Sequence, residues 1–133
     1  MAFLLDTDAW IVYLKSAASP IRARLEKLTP ADIVLCSVVK AELLHGAQKY
    51  HNRQGRLAIL AETLAPYASL PFDDAAAAAY AHIRQELEIA GNIIGPNDLM
   101  IAATAQANNL TLVTHNTAEF GRIASLKIED WQK

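Results

Sequence analysis

Two aspartates follow the first apolar run of the chain, at a position where they could bind a metal ion. Phe3, Leu4 and Leu5 predict a short buried strand, and Asp6 and Asp8 come at its end. In open α/β folds, ligands bind in the crevice at the carboxyl ends of the strands. Paired carboxylates there favour a hard cation, whereas an aspartate that only caps the following helix would give the same local pattern.

Two further carboxylates occur where later elements would bring them to the same crevice. Glu42 lies on the helix that follows the second predicted strand, beside the helix face that is predicted to be buried. Asp98 lies in the first turn of a helix that begins at Pro96. Taken singly, Glu42 could pair with a neighbouring lysine and Asp98 could interact with the helix dipole. Together, Asp6, Glu42 and Asp98 would crowd negative charge that a cation neutralises.

The available side chains also indicate which ion such a site would hold. The single cysteine, Cys36, lies within an apolar run, so it predicts a small buried side chain and no disulfide. No two histidines have the spacing of a metal-ligand pair. Carboxylates without cysteine or histidine partners select Mg²⁺ or Mn²⁺ over Zn²⁺, and these ions promote in-line displacement at phosphorus.

A polar cluster follows the last predicted strand of the chain. Thr114 ends that strand, and His115, Asn116 and Glu119 come next. The carboxyl end of this strand would lie at the same edge of the sheet as the first one. Alone, His115 is more typical of a solvent-exposed loop residue than of a metal ligand.

A stretch without acidic residues follows Glu42 and predicts a path for a phosphate backbone. The basic residues between Leu43 and Ala61 are His45, Lys49, His51, Arg53 and Arg56. Because residues three and four apart share a helix face, positive charge would extend along one ridge from the acidic site. The candidate contacts to such a backbone are therefore His45, Lys49, Arg53 and Arg56. The alternative is a solvated helix end and loop.

Length and composition predict one globular domain over residues 1–133. Hydrophobic residues make up 53% of the chain and charged residues 20%, which is a composition that can form a core. A net charge of −2 argues against broad electrostatic coating of nucleic acid but allows a local basic patch. Without a leader-like segment or a run of about 18 apolar residues, we expect a cytoplasmic protein with no membrane partner.

Strand-like and helix-like segments alternate along the chain, which predicts a mainly parallel sheet with helices on its faces. Besides strands over 3–5, 33–36 and 111–114, a fourth over 68–72 is expected at an edge or an end because of Pro71. The predicted helices cover residues 20–28, 37–50, 56–65, 73–90 and 96–107. The fold class is therefore α/β.

Four segments resemble, in order, the four motifs of PIN-domain ribonucleases, and above all the VapC-type toxins of bacterial toxin–antitoxin pairs. They cover residues 4–8, 37–47, 94–103 and 112–120. The resemblance implies a three-layer α/β/α domain in which Asp6, Glu42 and Asp98 bind Mg²⁺ or Mn²⁺, Thr114 is a nearby polar contact, and the last motif carries a fourth acid. It also implies an RNA substrate, often transfer RNA, a homodimer, and a cognate antitoxin whose tail fills the active-site groove.

The chain departs from the family pattern at two positions. Asn116 stands where many members carry aspartate, so Glu119 is the only nearby carboxylate on the last motif. Asp8 stands where asparagine is common. We expect Asp6 and Asp98 to hold the metal and Glu42 to complete the shell or orient the attacking water. Asn116 and Glu119 would act from the rim of the site.

Two other functions remain compatible with an apolar strand followed by Asp-Thr-Asp. One is a haloacid-dehalogenase-like phosphatase, and the other is a non-enzymatic phospho-receiver module. Both would phosphorylate an aspartate, and both would need a lysine near a later strand end. Residues 114–116 offer none.

Overall fold

A central sheet of five strands organises the fold, and the computed structural model describes it over residues 2–133. The strands are β1 (Phe3–Leu5), β2 (Ile33–Cys36), β3 (Ala68–Leu70), β4 (Thr111–Val113) and β5 (Ile128–Glu129). They lie in the order β3-β2-β1-β4-β5, and every neighbouring pair is parallel. The predicted α/β class is confirmed, and the strand limited by Pro71 lies at an edge, as expected.

Helices fill the connections between these parallel strands. They are α1 (Thr7–Lys15), α2 (Pro20–Glu26), α3 (Ser37–Gln48), α4 (Arg53–Leu64), α5 (Asp74–Ala90), α6 (Pro96–Ala107) and α7 (Thr117–Phe120), with a 3₁₀ turn at Pro30–Asp32. All five predicted helices are present. Helix α4 begins three residues before its predicted start because the side chain of Asn52 caps it by accepting from Gly55 N–H. Within the described residues, none of the helices combines the length and apolar character that a membrane crossing requires.

The order of the strands places a ligand crevice between β1 and β4. The chain adds β2 and β3 on one side of β1 and then returns to add β4 and β5 on the other. Since crossovers between parallel strands are right-handed, the helices of the first two connections lie on one face of the sheet and the later ones on the other. This produces the three layers. Ligands bind where the direction of winding reverses, at the carboxyl ends of the two central strands.

The central strands are buried on both faces, which explains why they are continuous apolar runs. Leu4, Leu5 and Leu112 are fully buried, and so is Cys36, as predicted. The Trp10 ring packs edge-on against Tyr13 on the same helix, 5.5 Å between centroids. Trp10 is also fully buried and its ring lies 5.5 Å from that of Tyr67, just before β3, so it anchors α1 to the rest of the fold.

Local signals set the ends of α5 and the start of α6, the helix that carries Asp98. The Asp73 carboxylate accepts from Ala76 N–H and begins α5, and Gly91 ends it with a left-handed φ of 71°. Pro96 occupies the first turn of α6 together with Asp98. Helix α3 has no side-chain cap, because its N-cap position is Cys36; the hydroxyl of Ser37, its first residue, donates to Leu70 C=O on β3 instead.

Candidate active site

Asp6 forms the floor of the crevice, directly after β1. Its backbone N–H donates to Val113 C=O on β4 at 3.0 Å, and its carboxylate accepts from Ala9 N–H at 2.9 Å. The residue is 5% exposed. Burial raises the pKa of Asp6, and the charges of Asp8 and Glu42 raise it further, while bonds from Thr114 and Ala9 oppose the shift. Asp6 is thus both a helix cap and a buried charge at the crevice.

Glu42 projects from α3 and is held by donors from two other elements. Its Oε1 accepts from the Thr7 hydroxyl at 2.5 Å, and its Oε2 accepts from the Asn97 amide nitrogen at 3.3 Å. Thr7 begins α1 and Asn97 lies in the first turn of α6. The carboxylate therefore connects three helices at the crevice and has one preferred orientation.

The pKa of Asp98 depends on the carboxylate cluster around it, which consists of Asp6, Asp8, Glu42 and Glu119. Its pKa is raised to about 6, first by burial and then by the charges of Glu42, Glu119, Asp6 and Asp8. The charges of four carboxylates thus disfavour ionisation of a fifth. Asp6, Glu42 and Asp98 are thus near enough for their charges to interact, and such crowding is costly unless a cation neutralises it.

Asn116 positions Glu119 at the rim of the crevice. The Asn116 side-chain amide donates to Glu119 Oε2 at 2.6 Å, and its carbonyl oxygen accepts from Glu119 N–H at 3.4 Å. The Thr114 hydroxyl in turn accepts from Asn116 N–H at 3.0 Å. The neutral residue at position 116 therefore orients the neighbouring carboxylate and caps α7.

A cavity of about 660 Å³ opens beside Glu42, between α1, α3 and α4. Three basic residues line it, namely Lys15, Lys49 and Arg56, and the Arg56 guanidinium lies 4.2 Å from the centre of the Tyr50 ring. The remaining lining residues are Ile11, Leu14, Leu43, Gly46, Ala47, Ile59 and Leu60. Of the basic residues predicted to follow a phosphate backbone, Lys49 and Arg56 thus line the cavity. His45 and Arg53 do not.

Several residues of this site were missed by sequence reasoning. Thr7 lies between the two aspartates and Asn97 directly precedes Asp98, so their adjacency to the predicted acids was the only available signal. Lys15 ends α1 and had no signal, since its approach to the α3–α4 cavity depends on how the helices pack.

The sequence of this chain matches that of a known protein family over most of its length. The PIN domain profile matches residues 3–126. The chain belongs to the PIN domain family.

Relatives resemble this PIN domain over almost their whole length. It is 36% identical over 131 residues to the tRNA(fMet)-specific endonuclease VapC of Shigella flexneri, with 98% of each chain covered. It is 36% identical over 134 residues to ribonuclease VapC2 of Rickettsia felis, with 100% of each chain covered. DNA-bound VapBC from Salmonella typhimurium superposes on 98% of each chain with a TM-score of 0.93 at 35% identity. The family resemblance of the four motifs is confirmed.

The donors of the PIN domain site fit a hard cation that keeps part of its water shell. All nearby charged donors are carboxylate oxygens, and their mutual repulsion is visible in the raised pKa of Asp98. Among residues 2–133, no three His, Cys, Asp or Glu side chains already lie close enough to ligate one ion together. Mg²⁺ is usually bound through one or two carboxylates plus waters, so the donor set suits this ion.

Asp98→Asn should stabilise the metal-free protein at neutral pH. The folded carboxyl has a pKa of about 6 against 3.8 for an unperturbed aspartate, so the folded protein loses stability as pH rises through this range. Asparagine cannot ionise, and the gain at pH 7.5 should be about 1 kcal/mol after allowance for solvent screening. Urea unfolding in EDTA at pH 7.5 and pH 4 measures it, and the gain should vanish at pH 4.

Asp74→Asn is the matched control for this measurement. Asp74 is also an aspartate in the first turn of a helix, but it is exposed and lies outside the cluster. Its replacement should give no stability gain at pH 7.5. An equal gain in both variants would mean that Asp98 carries no special repulsion.

Asn116→Asp should destabilise the metal-free protein and increase its response to Mg²⁺. The change removes the amide donor to Glu119 and sets two carboxylates against each other, while aspartate still caps α7. Without metal, we expect a loss of about 1 to 2 kcal/mol. The rise in melting temperature on adding Mg²⁺ should exceed that of the wild type, because an added carboxylate attracts the ion.

Glu119→Gln provides the opposite change at the same rim. Glutamine can still accept from the Asn116 amide but carries no charge. Its Mg²⁺-dependent rise in melting temperature should be smaller than that of the wild type. Identical rises in all three proteins would place the metal away from this rim.

Proposed function

We propose that this PIN domain is a divalent-metal-dependent endoribonuclease that acts as the toxin of a toxin–antitoxin pair. The observation that carries the proposal is the meeting of Asp6, Glu42, Asp98 and Glu119 where β1 and β4 end. The relatives with full-length similarity are named endonucleases and ribonucleases. Hydrolysis of a phosphodiester bond is the chemistry that clustered carboxylates and a hard cation perform.

Each acid of the cluster has a distinct proposed role. Asp6 and Asp98 would hold the cation, since they lie where the first and third motifs meet the crevice. Glu42 is fixed by Thr7 and Asn97, so it is suited to orient an attacking water or complete the shell through one. Glu119 would act from the rim, oriented by Asn116.

The proposed cation is Mg²⁺, with Mn²⁺ as a substitute. Bound at this site, it would supply an activated water and neutralise charge on the phosphate oxygens. The protein contributes the rest. Hydrogen bonds from neighbouring elements hold the carboxylates in place, and the packed sheet below excludes water from the inner side of Asp6.

The basic cavity is the proposed path of the substrate and also the binding place of the antitoxin. The Shigella flexneri relative is named as specific for tRNA(fMet), so transfer RNA is the proposed substrate class, which would be met in the cytoplasm. Solved VapBC structures pair toxin with antitoxin. A tail inserted beside Lys49 and Arg56 would block RNA from Glu42. The proposed active unit is a homodimer.

The phosphatase and phospho-receiver alternatives have less support. Both depend on a lysine near the phosphorylated aspartate, whereas the neighbours of Asp6 at the crevice are carboxylates, hydroxyls and amides. Acetyl phosphate should therefore leave no covalent phosphate on the protein.

Asp98→Asn should abolish Mg²⁺-dependent cleavage of total tRNA while leaving the fold intact. Removal of one cluster carboxylate weakens cation binding, so the Mg²⁺-dependent rise in melting temperature should also shrink. Gel analysis of the RNA with Mg²⁺ or with EDTA, and mapping of the new ends, measures the activity. Asp74→Asn should cleave like the wild type. Full activity in Asp98→Asn would refute the assignment of the site.

The cavity residues Lys49 and Arg56 should contact RNA phosphates, whereas His45 and Arg53 should not. Removal of one phosphate interaction lowers the slope of log affinity against log salt by roughly 0.7 for single-stranded RNA. We expect Lys49→Ala/Arg56→Ala to lower the slope by about 1.4, since the double variant removes two such interactions. The measurement uses a short labelled single-stranded RNA and an uncleavable Asp98→Asn background.

The matched control is His45→Ala/Arg53→Ala, which removes two basic groups from the same two segments but not from the cavity. Its slope should equal that of the parent protein. An equal decrease in both double variants would indicate a diffuse basic surface instead of a defined path.

A further inference from the structure

A histidine–carboxylate pair lies next to the carboxylate cluster and has no part in the roles assigned so far. His115 lies two residues after the end of β4, and its Nδ1 lies 3.0 Å from Asp130 Oδ2. The two residues are 15 positions apart, and β5 brings them together by pairing with β4. His115 therefore stands at the same edge of the sheet as Asp6, but on the side of β4.

Asp130 fixes the orientation of the imidazole ring. Its second oxygen accepts from Gln132 N–H at 2.9 Å, so the carboxylate is held at both ends. This bond and the interaction with His115 keep the pKa of Asp130 below its usual range. The Asp130 side chain is only 6% exposed, whereas that of His115 is 64% exposed. With Nδ1 on the carboxylate, Nε2 is the ring nitrogen that faces a ligand.

The ring borders an open recess of about 480 Å³ beside the acidic cluster. Its lining residues are Asp8, Ile11, Val12, His115, Asn116 and Gln132. Of these, His115 is the one that can carry positive charge. Asp8 and Asn116 connect the recess to the cluster, because Asp8 acts on the pKa of Asp98 and Asn116 holds Glu119.

Helix α1 separates this recess from the cavity that holds Lys49 and Arg56. Ile11 on α1 lines both. Because the sheet order is β2-β1-β4, the larger cavity lies on the β2 side of the cluster and the recess on the β4 side. A chain of phosphates that crossed the cluster from the larger cavity would leave it over the recess.

We propose that His115, positioned by Asp130, donates from Nε2 to an RNA backbone phosphate on the β4 side of the carboxylate cluster. A phosphate there meets the negative charge of Asp8 and needs a cationic donor. The charged groups around the ring are Asp130, Asp8 and, through Asp130, Lys133. With both ring nitrogens carrying a proton, the ring would donate from Nδ1 to Asp130 and from Nε2 to the phosphate, and the second bond would be charge-assisted. This inference rests on the proposed RNA cleavage.

A purely structural role would give a different result in the experiment. The pair also ties the residues after β5 to the end of β4, so its removal could lower stability without affecting RNA. His115→Asn keeps a donor near Asp130 but removes the second ring nitrogen. His115→Arg retains a cationic donor towards the recess.

The experiment measures steady-state cleavage of total tRNA with Mg²⁺ and melting temperature for each full-length variant. We expect His115→Asn to raise KM about fivefold or more with little change in kcat, and His115→Arg to restore most of the wild-type KM. In the Asp98→Asn background, His115→Asn should lower the salt slope for a labelled single-stranded RNA by roughly 0.7, the value for one phosphate interaction. Asp130→Asn should raise KM less, because an amide oxygen still accepts from Nδ1.

His82→Asn is the matched control. His82 also pairs with a carboxylate, Glu86 at 2.9 Å, but on the exposed surface of α5. Its KM and salt slope should equal those of the wild type. An unchanged KM and slope in His115→Asn, with or without a fall in melting temperature, would overturn the inference while the proposed function stood. Absence of RNA cleavage by the wild type itself would refute the proposed function, and the inference with it.

Discussion

Repulsion among carboxylates at the ends of β1 and β4 is the constraint on which the rest of the site depends. Four acids raise the pKa of Asp98, and burial alone would already disfavour its charge. The fold holds them together through local donors. Ala9 N–H and the Thr114 hydroxyl serve Asp6, Thr7 and Asn97 serve Glu42, and Asn116 serves Glu119. Binding of a cation would relieve this repulsion, which is the physical basis of the proposed metal site.

The same negative charge creates a second requirement, since the proposed substrate is itself an anion. With a net charge of −2, the protein as a whole does not attract RNA. Only local groups of basic residues can therefore attract the RNA backbone. The structure places Lys15, Lys49 and Arg56 in a cavity on one side of α1 and His115 in a recess on the other. The carboxylates thus lie between a cavity lined by three cationic side chains and a recess bordered by an imidazole donor, an arrangement that can align a phosphate chain across them.

Position 116 shows how the chain keeps a fourth acid without an aspartate there. Asn116 begins α7 and accepts from Glu119 N–H, as aspartate would. Its amide also donates to the Glu119 carboxylate, which aspartate cannot do. The carboxylate at this rim belongs to Glu119, one turn of helix further along, and the neutral residue supports it. The rim of the site therefore carries the charge of Glu119 without a second carboxylate in contact with it.

The sequence by itself determined the α/β class, the five main helices and the acids of the cluster, because these depend on local signals: apolar runs, caps such as Asp73 and Gly91, and Pro96 at a helix start. It did not identify α7 or β5, which are too short for a periodic pattern. Only the tertiary structure decided which donors hold Glu42, which basic residues line the cavity, and that Asp130 meets His115. Those contacts join residues up to 55 positions apart, and they depend on how helices pack across the sheet, which no local pattern records.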